Sequence, residues 1–322
     1  MSPSSASAVD AVVVGGGPAG LNAALMLGRS RRLAVLVDGG AGRNAASHAM
    51  HGYLSRDGLH PAELRRIGRE QLQTYPTVDV LEAHVDEITG SAGHFTVHTS
   101  TGATLEARKL LLAPGIRDAL PDVPGMQELY GVSVFHCFYC DGFEVSDKPL
   151  LVVGHGNSAY RQALMLLSWS RDIALCTLGV SDLSAEQRAH LASYAITVHE
   201  QRIERLETEA GRLVSVILGD GTALPRPVIF FHGATTIASA LHEGLGCAMT
   251  DEGRIQVDEG HRTSVPGVFA AGDAARRSGQ HPSTQVIFAA ASGALAGIAL
   301  HQELLHEDFG LTPALPAAPV LV

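Results

Sequence analysis

The 322-residue chain carries 33 acidic and 23 basic side chains (net charge −10), with 46% hydrophobic and 17% charged residues. That balance suits two packed domains and sets aside nucleic acid and anionic membrane surfaces as partners. Its four cysteines (Cys137, Cys140, Cys176, Cys247) are too few for a disulfide scaffold, the polar start has no basic and apolar leader, and no apolar run reaches the ~18–20 residues of a membrane span, so a cytoplasmic protein is expected.

In chain order, Ala11–Val14 is a short apolar run closed by glycines, Ala19–Leu27 is amphipathic, and Leu33–Val37 is a second apolar run ending in Asp38. Strand, glycine-rich turn, helix and strand open a βαβ unit. The stretch from Gly39 to Pro61, rich in Gly, Asn, Ser and His, is expected to be a long ordered loop, a kind more often functional than idle. Thr77–Leu81, Phe95–Thr99 and Ala103–Leu105 alternate as antiparallel strands with a turn at Thr101–Gly102, and Lys109–Ala113 reads as a further, buried strand. At Pro149–Val153 the βαβ pattern restarts, with Gly154–Ala159 as its turn, an apolar helix through Trp169 and a strand at Ile173–Thr177. A second antiparallel group follows, Val214–Leu218 and Val228–Phe231, and the end brings a strand at Val268–Ala271 and a helix from about Thr284 to Leu305. The last segment has no counterpart in the second copy of the unit. The expected fold is therefore α/β, two Rossmann-like dinucleotide-binding domains of the three-layer ββα type, the second inserted in the first: residues 1–116 and 246–322 against 117–245.

Gly15-Gly16-Gly17-Pro18-Ala19-Gly20 follows a strand and opens a helix. Gly15 permits the tight turn, Gly17 lets the backbone approach a pyrophosphate, Gly20 allows close helix–sheet packing, and the helix N-terminus offers free N–H groups to phosphates. Asp38, at the end of the second strand, is placed to accept from an adenosine ribose hydroxyl. Gly154-His155-Gly156-Asn157-Ser158-Ala159 is a second such turn, suited to a nicotinamide dinucleotide, NADP or NAD. Arginines reading a 2′-phosphate, or an acid reading a free 2′-hydroxyl, belong after the next strand. The chain has Leu178-Gly179-Val180-Ser181-Asp182-Leu183 there, without arginine and with its acid several residues late.

Between the two cradles stands His136-Cys137-Phe138-Tyr139-Cys140-Asp141-Gly142. Two residues between cysteines allow a small disulfide ring that opens and closes without refolding. Half a zinc site is the alternative, but Cys176 and Cys247 form no second close pair, so no metal is expected. Asp141 is a candidate proton donor and acceptor for thiol exchange, or else a turn residue before Gly142.

GGGPAG, the C-x-x-C-D-G box, GxGxxA and Phe269-Ala-Ala-Gly272-Asp273, in this order, resemble the low-molecular-mass thioredoxin-reductase-like flavoproteins across nearly the whole chain. The resemblance implies FAD in the first cradle, with Asp273 accepting from the ribityl chain and the following helix N-terminus at Gln285 and Val286 beside the flavin. It adds Gly39, Asn44, His51 and Gly115 as further cofactor contacts, puts Cys140 towards the flavin and Cys137 towards the substrate, makes Asp141 the proton carrier, and implies a homodimer. Bulky Phe138-Tyr139 between the cysteines, the loop Arg43-Asn44…Ser47-His48…His51-Gly52-Tyr53-Leu54…Asp57-Gly58 and the missing arginine turn are closer to the dithiol-oxidase branch that includes gliotoxin and holomycin oxidases. The expected partner is then a small-molecule dithiol; the alternatives are NAD(P)H-driven reduction of a thioredoxin-like protein and a non-enzymatic flavin redox sensor. His48, His51, His136 and His281 are candidate thiol bases, and the Leu311–Val322 tail is a candidate cover for the flavin or a dimer partner.

Overall fold

The computed structural model describes residues 8–40, 42–280 and 283–311; His281 and the tail beyond Leu311 lie outside the described residues. The chain packs as two units. The first comprises the chain up to Gly42, Ala62–Ile116 and the chain from Ile237 on, and the second Arg43–Pro61 and Arg117–Thr236.

The first unit is built on a sheet of β1 (Val9–Val14), β2 (Ala34–Asp38), β3 (Val78–Glu82), β4 (Val85–Ser91), β5 (His94–Thr99) and β6 (Thr104–Leu112), in the order β3-β2-β1-β6-β5-β4, with Val268–Ala270 also on β6. β1 lies parallel to both β2 and β6. Burial on both faces is why these strands read as unbroken apolar runs. β6 replaces the two separate strands expected at Ala103–Leu105 and Lys109–Ala113. Its first residues pair antiparallel with β5, and its length runs parallel to β1, so one strand serves both the hairpin and the core.

Helix α1 (Pro18–Arg29) packs on the long helix Val286–Phe309 with almost no side chain between them. A Cβ at Gly293 would lie 1.9 Å from the Ala19 carbonyl oxygen, and one at Gly297 would lie 2.9 Å from that of Ala23. The long helix is apolar enough to span a bilayer by composition, but here Ala296, Leu300 and Leu304 are fully buried in the core. Its Glu303 and Glu307 bond to the buried Lys109. A second helix, α2 (Pro61–Leu72), unexpected from the sequence, begins at a proline with Glu63 in its first turn, both of them start signals.

The second unit holds a parallel sheet ordered Thr197–His199, Ile173–Cys176, Leu150–Val153, Val228–Phe231, Val134–Phe135. Val228–Phe231 is thus a central parallel strand, not a member of an antiparallel group; its four residues are all buried, a pattern that carries no mark of strand direction. Ile203–Glu209, Arg212–Leu218 and Ala223–Leu224 form the antiparallel layer.

Two segments fall on the other side of the expected domain division. Residues 237–245 belong to the first unit because Ile237, Leu241 and Leu245 pack into the core cluster of Val12, Ile88 and Val268. The loop Arg43–Pro61 belongs to the second. Arg43 forms a two-pronged bond with Asp118 at 2.7 and 2.5 Å, and Ala46 lies so close to Gly131 that a Cβ there would be 2.8 Å from its carbonyl carbon.

Candidate functional site

The first cradle forms as its residue types demand. Gly15 adopts φ +107°, and a Cβ at Gly20 would lie 1.8 Å from the Gly15 carbonyl oxygen, so only glycine admits the helix so close to the strand. A Cβ at Gly17, by contrast, would meet no atom within 4 Å, leaving the backbone open to a ligand. Gly17 caps α1, no side chain bonds the free N–H groups, no acid stands in the first turn, and Pro18 and Ala19 follow. Gly272, at φ +73°, brings the second glycine–aspartate box to the same place: a Cβ on it would lie 3.0 Å from that of Ala19, and its N–H donates to Ser292 Oγ at 2.8 Å. Motifs far apart in sequence thus converge on one helix N-terminus, and Asp273 follows directly. The long helix starts at Val286 with Gln285 as its cap residue, again with no side-chain cap. Gly115, at φ +72°, has open space around it, whereas Gly39 packs on His84, 2.4 Å from where a Cβ would stand. These residues fit an adenine dinucleotide.

Asp38 departs from expectation. Its carboxylate is buried beneath Gly16 and is held by Arg65 at 2.9 and 2.7 Å, by Arg69, and by the Gly40 N–H at 3.0 Å. Burial alone would raise this carboxyl, but Arg69, the Gly40 N–H and Arg65 together keep it below its ordinary range. It is therefore committed to two arginines one helical turn apart on α2 rather than free for a ribose. Arg65 also donates to the Gly16 carbonyl at 3.3 Å, which places a cation at the cradle's edge.

The second cradle keeps the turn and the helix: Leu150–Val153, then Gly156–Met165, with Gly154 and Ala159 buried against each other and Asn157 and Ser158 exposed. It differs in what faces it. Leu178 and Gly179 take positive φ, so the turn curls back, and a Cβ at Gly156 would lie 3.0 Å from Asp182 Oδ2. A carboxylate thus stands at the mouth of a helix N-terminus, where a pyrophosphate's charge would come. Arg188, on the following helix, is paired with Glu200, and Gln187 donates to Asn157 at 3.3 Å. These residues do not fit a nicotinamide dinucleotide as they stand. Two like charges about 4 Å apart repel by on the order of 1–4 kcal/mol.

Cys137 and Cys140 form a disulfide, with Cα atoms 5.3 Å apart, around the one-turn helix Phe138–Asp141. Gly142 is required after it by space: a Cβ there would lie 2.4 Å from the Phe138 carbonyl oxygen and 3.1 Å from the Trp169 ring. Phe138, Tyr139 and Trp169 form an aromatic cluster, with centroids 4.8–5.7 Å apart, on the disulfide's flank, and Tyr139 and Phe143 are exposed. Asp141 is largely out of water. Burial pushes its carboxyl up to about 7, the Glu144 charge adds to this, and His51 opposes it. Cys176 and Cys247 are buried free thiols whose pKa burial raises, neither placed as a partner of the disulfide.

Of the described candidate bases, His48, His51 and His136, only His51 is brought to this group, with Nε2 3.4 Å from Glu144 Oε1. His48 is exposed. His136 is committed elsewhere: Tyr130 donates its hydroxyl proton to Asp118 at 2.7 Å, so the Nδ1–H of His136, at 3.0 Å, donates to the Tyr130 oxygen. Burial and the Arg43 charge lower this imidazole to about 4, and Asp118 is held below its ordinary range against burial, first by its bond to Arg43. Asn44, next to Arg43, is half-buried in this loop. Asp118, Tyr130, Arg65, Arg69 and Glu144 are not among the candidates the sequence offers; the i,i+4 spacing of Arg65 and Arg69 facing a strand-end acid is the one signal present for them.

A fold of two dinucleotide units with a redox disulfide between their fingerprints defines a disulfide oxidoreductase. The chain belongs to the pyridine nucleotide-disulphide oxidoreductase family, whose model matches residues 9–293. It is 33% identical to thioredoxin reductase tcpT of Claviceps purpurea (84% of this chain, 88% of that one) and 30% identical to thioredoxin reductase sirT of Leptosphaeria maculans (94% and 96%). Among solved structures it is similar to an oxidoreductase from Agrobacterium tumefaciens (36% identity, TM-score 0.86, 93% and 99% covered) and to HlmI (39%, 0.87, 94% of each). The chain is an enzyme of the thioredoxin-reductase-like class.

Proposed function

We propose that the protein is an FAD-dependent dithiol oxidase that closes a disulfide in a small molecule and passes two electrons through Cys137 and Cys140 to the flavin. The observation that carries this reading is Asp182 at the second cradle, which weakens NAD(P)H as an electron source more than it weakens anything else in the site. The aromatic cluster on the disulfide's flank supports a small apolar dithiol over a thioredoxin-like protein. FAD would be held by Gly15, Gly17 and the α1 N-terminus at its pyrophosphate and by Gly272, Asp273 and the Gln285–Val286 helix start at its flavin end; when bound, it accepts two electrons and hands them to oxygen or another acceptor.

The chain's own residues divide the work. One substrate sulfur loses its proton and attacks Sγ of Cys137; the protein S–S bond breaks, and its electron pair stays on Sγ of Cys140. The second substrate sulfur then attacks the first, closing the product disulfide and releasing Cys137. Asp141, with its carboxyl near 7, takes up and returns protons at neutral pH. We place this chemistry in the cytoplasm, in a homodimer.

The test is anaerobic mixing of the flavin-loaded protein with dithiothreitol, NADPH or NADH while following the flavin band. Bleaching by the dithiol with recovery in air is expected. Rapid bleaching by NADPH would sink the oxidase reading and leave the reductase named for the fungal relatives.

A further inference from the structure

Beside the disulfide, the loop from Met50 to Leu59 closes into a ring. Met50 N–H donates to the Leu59 carbonyl and Gly58 N–H to that of Met50, both at 2.9 Å, and Gly52 and Gly58 turn the chain at φ +75° and +77°. Inside the ring Asp57 Oδ1 accepts the Gly52 N–H at 2.8 Å, while Oδ2 faces His51 Nδ1 at 3.4 Å. The other ring nitrogen faces Glu144, three residues beyond Asp141. The imidazole therefore spans two carboxylates of different elements, one on the loop and one on the turn after the cysteines. A neutral imidazole has one N–H and one lone pair; with a carboxylate at each nitrogen, the set takes a proton at one end and gives one up at the other. Access differs sharply along it. The Asp57 side chain is 65% exposed and that of Glu144 43%, against 21% for His51, and Asp141 is half-buried.

We propose that His51, oriented by Asp57, conducts protons between Asp141 and solvent each time the Cys137–Cys140 disulfide opens or closes. The proposal rests on that disulfide being the reactive centre, not on the direction of electron flow. When a dithiol opens it, the protein S–S bond breaks, the substrate S–S bond forms, and two electrons reach the cysteine pair. Of the two thiol protons, one remains on Cys137 as a thiol, and Cys140 is left as thiolate. The other passes to Asp141 and, by way of one water, to His51, which faces Glu144 with one nitrogen and releases a proton from the other through Asp57. Among the described residues, Asp57 and Glu144 are the charged groups that face His51, and Glu144 and His51 are those acting on Asp141. His51 thus acts through Asp141 and is, like Asp57, a positioning residue.

The test is the rate at which dithiothreitol opens the disulfide in the flavin-loaded full chain, quenched by thiol alkylation and read by mass between pH 5.5 and 8.5, ranges on the order of those that bracket a carboxyl near neutrality. The wild-type profile should inflect near pH 7. Glu144→Gln removes a charge that disfavours ionised Asp141, so its inflection should move down. His51→Gln removes one that favours it, so the inflection should move up, the neutral-pH rate should fall about tenfold, and added imidazole should restore most of that loss. Shifts of the same sign, no shift, or a loss that imidazole does not restore would overturn the proposal. If the wild-type disulfide does not open at all, the cysteine pair is not the reactive centre, and this proposal falls together with the proposed function.

Discussion

The two glycine-rich cradles begin alike and end differently. Each follows a buried parallel strand and opens a helix without a side-chain cap. At Gly17 the space beyond the backbone is empty, and Gly272 delivers a second binding motif beside it. At Gly156 the same space ends on the Asp182 carboxylate. A fingerprint therefore specifies a turn, and the neighbours that the rest of the chain brings up decide whether an anion is welcome there.

If electrons enter the flavin only through the cysteines, Cys140→Ser should produce the largest change. Dithiol-driven bleaching should fall at least about a thousandfold while the yellow protein stays intact; stopped-flow absorbance reads both, and persistent turnover would mean another entrance. Gly17→Val should strike next. Its side chain has room in the protein but stands where a pyrophosphate would approach, so flavin per chain should drop at least about tenfold with the circular-dichroism spectrum unchanged. Loss of folding instead would mean that the open space is structural.

The contrast extends to acid. In the second unit His136 is half-buried with its imidazole lowered to about 4, so between pH 6.5 and 4 the unfolded chain binds a proton that the folded one refuses. Stability should fall by about 3 kcal/mol over that window. His136→Gln should flatten the slope seen in denaturant titrations across that window. Asp38 and Asp118, both depressed, contribute stability above their ordinary range that is lost only at lower pH. The smallest effect is expected at the second cradle itself. Asp182→Ser removes one like charge and should strengthen NADPH binding roughly tenfold, measured by fluorescence titration; unchanged affinity would remove Asp182 from the explanation.

Much of this was legible from sequence because short-range rules govern it. The glycine fingerprints, the strand–turn–helix order and the cysteine spacing are local, and each forms where its residues stand. What was not legible came from distant packing. Asp38 could be placed at a strand end, but its partners sit on α2, and the commitment of its oxygens depends on how that helix lies across the sheet. Asp182 looked late when counted along the chain, yet the left-handed residues Leu178 and Gly179 fold it back onto Gly156. The loop after Gly42 joined the second unit through Arg43 and Asp118, a pair 75 residues apart that no window of sequence connects.

The most direct measurement is a count of dinucleotides. Native mass spectrometry of the purified chain, with and without saturating NADPH or NADH, resolves each bound species. One FAD per chain, with a second dinucleotide on only a minor fraction of chains, is the expected result. A second adenine dinucleotide bound alongside FAD on most chains would contradict it, and the second cradle would then have to be counted as open.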